Sequence, residues 1–210
     1  MKQNSPEYVS VVGFYLIQPL LDLVEKLRSL PSAEPNEALT VPFENGYSCA
    51  VILFTTVLLA SVLVRTRYVR DDASDTHVAD FFSKISPNQD LAHDVNEIFA
   101  IRDAIVHNHL WKTEIDPDTM KFTSPPELLP GYGEGKRFEA VMDPKTRLSR
   151  RLKLNLFPSR ISKRDAYIVV KTAVRTLEEL EKMDRRYVRL ARLPEVVKAL
   201  ESLKQSPAAN

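Results

Sequence analysis

The sequence predicts an all-α protein, an up-and-down helical bundle of about four to five main helices with a small β-hairpin inserted around residues 136–158. Apolar residues recur at helical spacing through several long segments. Polar, proline-bearing connectors separate those segments. Only Arg137–Met142 and Leu152–Phe157 alternate with the period of a strand. One domain is expected over residues 5–190, with a basic loop or hairpin insertion at 114–161, followed by a short helix and tail at 191–210.

Ser5-Pro6-Glu7 is a good helix start, with a capping residue, a proline in the first turn and an acid at the positive end of the dipole. Leu16, Leu20, Leu23, Val24 and Leu27 continue the pattern to Leu30-Pro31, and Pro19 is expected to kink or divide it. After a polar connector, Glu44–Asp72 reads as a second long helix whose middle, Cys49–Val64, carries no charge. That uncharged stretch is shorter than the roughly 20 residues that span a bilayer. Thr55, Thr56 and Ser61 also interrupt it, so a central core helix is expected rather than a membrane span. Arg65, Arg67 and Arg70 follow, where the helix dipole favours cations. A short helix at Thr76–Ile85 and the break at Ser86-Pro87-Asn88 lead into a third long helix, Gln89–Lys112.

Asp116-Pro117 and Ser124-Pro125-Pro126 are expected to break regular structure between Thr113 and Pro130. Gly131–Lys136 holds three of the five glycines but lacks the strand and the Lys-Ser/Thr ending of a phosphate-binding loop, so it reads as a plain loop. Ser162-Lys163-Arg164-Asp165 resembles a capping box with Asp in place of Glu. The helix it opens carries Ile168, Val169, Ala173, Leu177, Leu180 and Met183 toward the core and ends near Arg186. Pro194 starts a short amphipathic helix with Val196, Val197, Leu200 and Leu203, suited to covering the bundle or meeting a partner.

The net charge of +1 hides an asymmetry: residues 1–120 hold nine Lys/Arg against seventeen Asp/Glu, and residues 121–210 hold twenty against eleven. Such a chain suits a polyanion, a complementary copy of itself, or neutralisation within the fold. The single Cys49 excludes an internal disulfide framework, and Met1–Tyr8 lacks the basic start of a secretory signal. A cytoplasmic protein without membrane attachment is the expectation.

The richest stretch is Ile98–Trp111, which places Arg102, Asp103, His107, Asn108 and His109 in an otherwise apolar helical segment. At about 100° per residue, Val95, Ile98, Phe99, Ile105, Val106 and Leu110 share one arc with Arg102 inside it. A cation on a packing face requires a carboxylate, carbonyls, a second subunit or an anionic ligand. Asp103 and His107, four apart, are placed for the carboxylate to orient the imidazole. Arg102 and His107 diverge by roughly 140°, so joint action requires a bent helix end or a second copy of the helix. His109 shares the face of Arg102. His77 has no evident companion and reads as a surface residue, and His93 with His107 and His109 does not make a convergent metal set. A second constellation is the acid-free run containing Arg147, Arg150, Arg151, Lys153, Arg160, Lys163 and Arg164. Interleaved with Phe157, it suits phosphate binding with base stacking, or a solvated loop or a docking patch for the acidic half.

Arg102-Asp103-Ala104-Ile105-Val106-His107 resembles the Arg, polar residue, three variable residues, His signature of the HEPN superfamily, the higher eukaryotes and prokaryotes nucleotide-binding domains. That family more often has Asn where Asp103 stands, and it admits both His107 and His109 as the partner of Arg102. The resemblance implies a helical bundle and a homodimer with a composite site. It also implies metal-independent cleavage of single-stranded RNA by its own 2′-hydroxyl, often in toxin–antitoxin or phage-defence systems. Arg102 and His107 would be the catalytic pair with Asp103 beside them, and Asn108 and His109 secondary candidates. No cofactor is implied, and a cognate antitoxin or nucleotidyltransferase is an implied partner. The alternative is a silent HEPN-like module that binds RNA or a nucleotide, or scaffolds another protein.

Overall fold

In a computed structural model of the chain, residues 13–32, 41–107, 110–124, 126–129, 136–188, 195 and 198 are described. Among them the elements are α1 (Gly13–Ser29), α2 (Pro42–Val69), α3 (Val78–Ile85), α4 (Gln89–Val106), β1 (Trp111–Lys112), β2 (Ile115–Asp116), β3 (Lys121–Phe122), β4 (Glu127–Leu128), α5 (Lys136–Val141) and α6 (Lys163–Met183). A 3-10 turn at Pro158–Arg160 precedes α6. The fold is an all-α bundle with a small β insertion.

The uncharged α2 runs through the middle and packs against α1, α6, α4 and α3. Its Val51, Ile52, Leu58, Leu59, Val62 and Leu63 are buried, and Thr56 and Thr66 return their hydroxyls to the Ile52 and Val62 carbonyls at 2.9 Å each. Such i−4 bonds let hydroxyls enter a core without unmet donors. By length and composition α2 is long and apolar enough to cross a membrane, and half of its apolar window is buried in the bundle. α1 continues through Pro19 without being divided, so one proline near its first turns is tolerated. The Ser162–Asp165 cap forms as the sequence predicts: Asp165 is fully buried and accepts from the Ser162 N–H at 3.0 Å. Glu44, also buried, accepts the Lys163 N–H at 2.9 Å, placing a carboxylate at the positive end of α6.

The β structure lies elsewhere than expected. Arg137–Val141 is helical, and its Phe138, Val141 and Met142 are buried together at the i, i+3, i+4 spacing of a helix. Leu152–Phe157 does alternate, with Leu154 and Leu156 buried, but this region makes only isolated bridges, Met142 to Ser149 and Leu148 to Asn155. The hairpin is instead a ribbon over 110–129, with β1 antiparallel to β4 and β2 antiparallel to β3 nested inside. Asp116-Pro117 forms its turn rather than a break, as Asp116 Oδ1 accepts the N–H groups of Asp118 at 2.8 Å and Thr119 at 3.2 Å. The ribbon packs through rings, with Trp111 5.6 Å and Phe122 5.9 Å from Phe157.

Candidate functional site

Helix α4 starts on Asn88, whose side chain accepts the Leu91 N–H at 3.0 Å, and its Val95, Ile98, Phe99 and Ile101 are buried. It ends at Val106, six residues before the expected Lys112, because β1 begins at Trp111 and pulls the chain into the ribbon. The expected apolar arc is cut short as a result: Val106 is 56% and Leu110 43% exposed. His107 becomes the C-cap, exposed, with its N–H donating to the Asp103 carbonyl at 2.9 Å. The facial relation between Arg102 and His109 rested on a longer helix. Asn108 and His109 lie outside the described residues.

Arg102 and Asp103 form the core of the site. The Arg102 Nε donates to Asp103 Oδ1 at 2.9 Å and its Nη2 bonds the same oxygen, with both side chains largely shielded. The guanidinium lies over the buried Phe99 ring, 5.5 Å from its centroid. This pairing answers the requirement for a counterion on the packing face, and it uses the adjacent carboxylate.

A residue that the sequence left aside joins this cluster. The His77 ring stands perpendicular to Phe99 at 5.2 Å, on the same ring that supports Arg102. His77 is half-buried and caps α3, its Nδ1 accepting the Ala79 N–H at 3.2 Å. Burial first, then the charges of Arg137 and Arg102, hold its imidazole below the ordinary value of 6.5, while Asp103 and Asp80 pull the other way. The neutral ring therefore carries its proton on Nε2. The signal was positional: His77 stands directly before the apolar helix Val78–Ile85, although histidine is not a favoured cap.

The basic run divides into separate roles. Arg151 is committed to α4, its Nε donating to Asp94 at 3.0 Å and its Nη2 to Asp90 at 2.9 Å. Lys163 is buried and donates to the Leu30 carbonyl; burial lowers its ammonium from the ordinary lysine value. Arg164 donates to the Lys153 carbonyl at 2.9 Å, and Arg160 stacks on Phe122 at 5.5 Å. Arg147 takes a positive φ of 60° with its Nε buried, and Lys153 a φ of 55° with its side chain exposed. Arg150 is exposed and borders a cleft of about 490 Å³ with Arg137, His93 and Asn96. The run is thus a strap across α4 and α6 as much as a cationic surface. Glu97 anchors it from beneath, accepting from Ser149 Oγ at 2.7 Å, Arg151 N at 2.8 Å and Leu152 N at 2.7 Å.

No family model, curated protein or solved structure matches this chain. The functional reading therefore rests on the geometry and the sequence motif alone.

Proposed function

We propose that this protein is a cytoplasmic, metal-independent endoribonuclease of the HEPN type that acts as a homodimer on single-stranded RNA. The observation that carries the reading is the end of α4, where Arg102 and Asp103 stand one turn before an exposed His107. In the reaction, the His107 imidazole takes the proton of a ribose 2′-hydroxyl. The 2′-oxygen attacks the adjacent phosphorus, and the bond from phosphorus to the 5′-oxygen breaks. His107 of a second copy donates a proton to that leaving oxygen, so the products are a 2′,3′-cyclic phosphate and a 5′-hydroxyl. The Arg102 fork, oriented by Asp103, stabilises charge on the nonbridging oxygens. The exposed Val106 and Leu110 beside the motif supply apolar surface for the second copy. A toxin–antitoxin or phage-defence setting, with an antitoxin or nucleotidyltransferase partner, accompanies this reading.

One observation favours a silent RNA-binding or scaffolding module instead: the Arg102 charge is already paired with its neighbour Asp103 through Nε and Nη2. The two readings separate when purified protein is incubated with mixed-sequence RNA in EDTA and the fragment ends are analysed. Cleavage by the wild type leaving cyclic phosphate, with a loss of at least about a hundredfold in His107→Ala and Arg102→Ala at unchanged melting temperature, supports the nuclease. RNA binding without cleavage supports the silent module.

A further inference from the structure

The cleft between α3, α4, α5 and the segment 150–151 is lined from α4 by His93, Asn96 and Glu97 rather than by Arg102, Asp103 or His107, and its polar groups are unevenly committed. Each carboxylate at its border already receives a donor. Asp80 takes Arg137 Nη2 at 2.9 Å and Glu97 takes three donors from residues 149–152, while Arg151 is spent on Asp94 and Asp90 outside the lining. Arg137 is held by Asp80 and Asn96 together, which fixes its guanidinium across three helices. Arg150 is different. The Lys145 and Thr146 N–H groups hold the Asp143 carboxyl low, with the charges of Lys153 and Arg150 adding to them, but among the described residues the Arg150 guanidinium makes no salt bridge or side-chain hydrogen bond. An exposed His93 stands on the same border. The cleft thus offers spare donors and few spare acceptors, which is the inventory of a site for an oxyanion.

Size and lining narrow the ligand. A volume of about 490 Å³ belongs to the range of small-molecule sites and is far more than an inorganic anion fills. Ala140 and Val141 give it an apolar wall, which matches a compact organic body. We propose that this cleft binds a phosphate monoester of about nucleoside-monophosphate size, its phosphate on Arg150 with Arg137 and its organic part against Val141. The site is independent of the ribonuclease reading. A free phosphorylated metabolite and the 5′-phosphate of an RNA end present the same chemistry.

The test is calorimetric titration of the full chain with adenosine 5′-monophosphate, adenosine and inorganic phosphate. Saturable binding of the monophosphate, at least about tenfold tighter than either fragment, is expected. Arg150→Gln should weaken it about tenfold or more at an unchanged melting temperature, since Arg150 holds no other element in place. Lack of saturable binding by the wild type, equal affinity for adenosine, or equal binding by Arg150→Gln each overturns the proposal. Competition by a 5′-phosphorylated but not a 5′-hydroxyl oligoribonucleotide assigns the site to RNA ends. Binding of the monophosphate without such competition assigns it to a free metabolite. His107→Ala should bind the monophosphate as the wild type does, so loss of cleavage and loss of this site are read separately.

Discussion

His77 holds together three things at the scale of one residue: the start of α3, the edge of Phe99, and the surroundings of Arg102. Its cap works only while Nδ1 is unprotonated, because a protonated ring has no acceptor for the Ala79 N–H. A base whose folded value lies below its unfolded one stabilises the fold above the unfolded value, and that contribution is lost as pH falls through the folded one. With the ordinary value at 6.5, stability should decline as pH drops from 7 toward 5. His77→Asn keeps a side-chain acceptor at the cap and should flatten this decline, read from urea midpoints across the same range. Reading His77 as a surface residue failed because its partners, Phe99, Arg102 and Arg137, come from α4 and α5 rather than from its own neighbourhood.

Among the elements, the strap at 149–152 is joined to helix α4 by Arg151 on Asp94 and Asp90 and, with three donors, by the buried Glu97 carboxylate. Glu97→Gln replaces one accepting oxygen with an amide that faces N–H and O–H donors, so about 1–3 kcal/mol of stability should be lost in denaturant titration. Local hydrogen exchange at Arg151 and Leu152 should rise with it, since their N–H groups end on that carboxylate. The long helices were legible because their apolar spacing is sustained over many turns, as in α2 and α6, whereas the six-residue α5 was read as a strand. The ribbon was not, since each strand is two residues long and Asp116-Pro117 signals a turn without telling what flanks it. The same ribbon ends α4 at Val106, a long-range effect that no pattern within the helix announces. Of the site, Arg102 on the packing face was readable, and its charge partner was within one residue. The commitment of Arg151 and Lys163 to the fold was not readable, because Asp90, Asp94 and Leu30 lie far from them along the chain.

For the whole molecule, part of the charge asymmetry between the two halves is met inside the fold. Asp80 meets Arg137, Asp94 meets both Arg151 and Arg175, and Glu44 meets the first turn of α6. Where one partner is open to solvent, as Arg151 and Arg175 are, such a pair contributes little, so it orients the helices more than it stabilises them. Beside the exposed His107, Val106 and Leu110 leave apolar surface outward at the motif. On the proposed homodimeric nuclease, Val106→Asp combined with Leu110→Asp should therefore leave the fold intact and give a monomer in sedimentation, with RNA cleavage lost in parallel. A dimer that persists with full activity would place the subunit contact elsewhere. The ribbon that meets this end of α4 also carries the protein's one tryptophan, Trp111, its ring 6.1 Å from Phe138 and 5.6 Å from Phe157 and its Nε1 buried. Ultraviolet emission from this chain is therefore a local signal. Undocking of the ribbon would expose that indole to water and redden its fluorescence while the helical far-ultraviolet dichroism stays unchanged, giving a spectroscopic clock for the ribbon four residues along the chain from His107, without any added label.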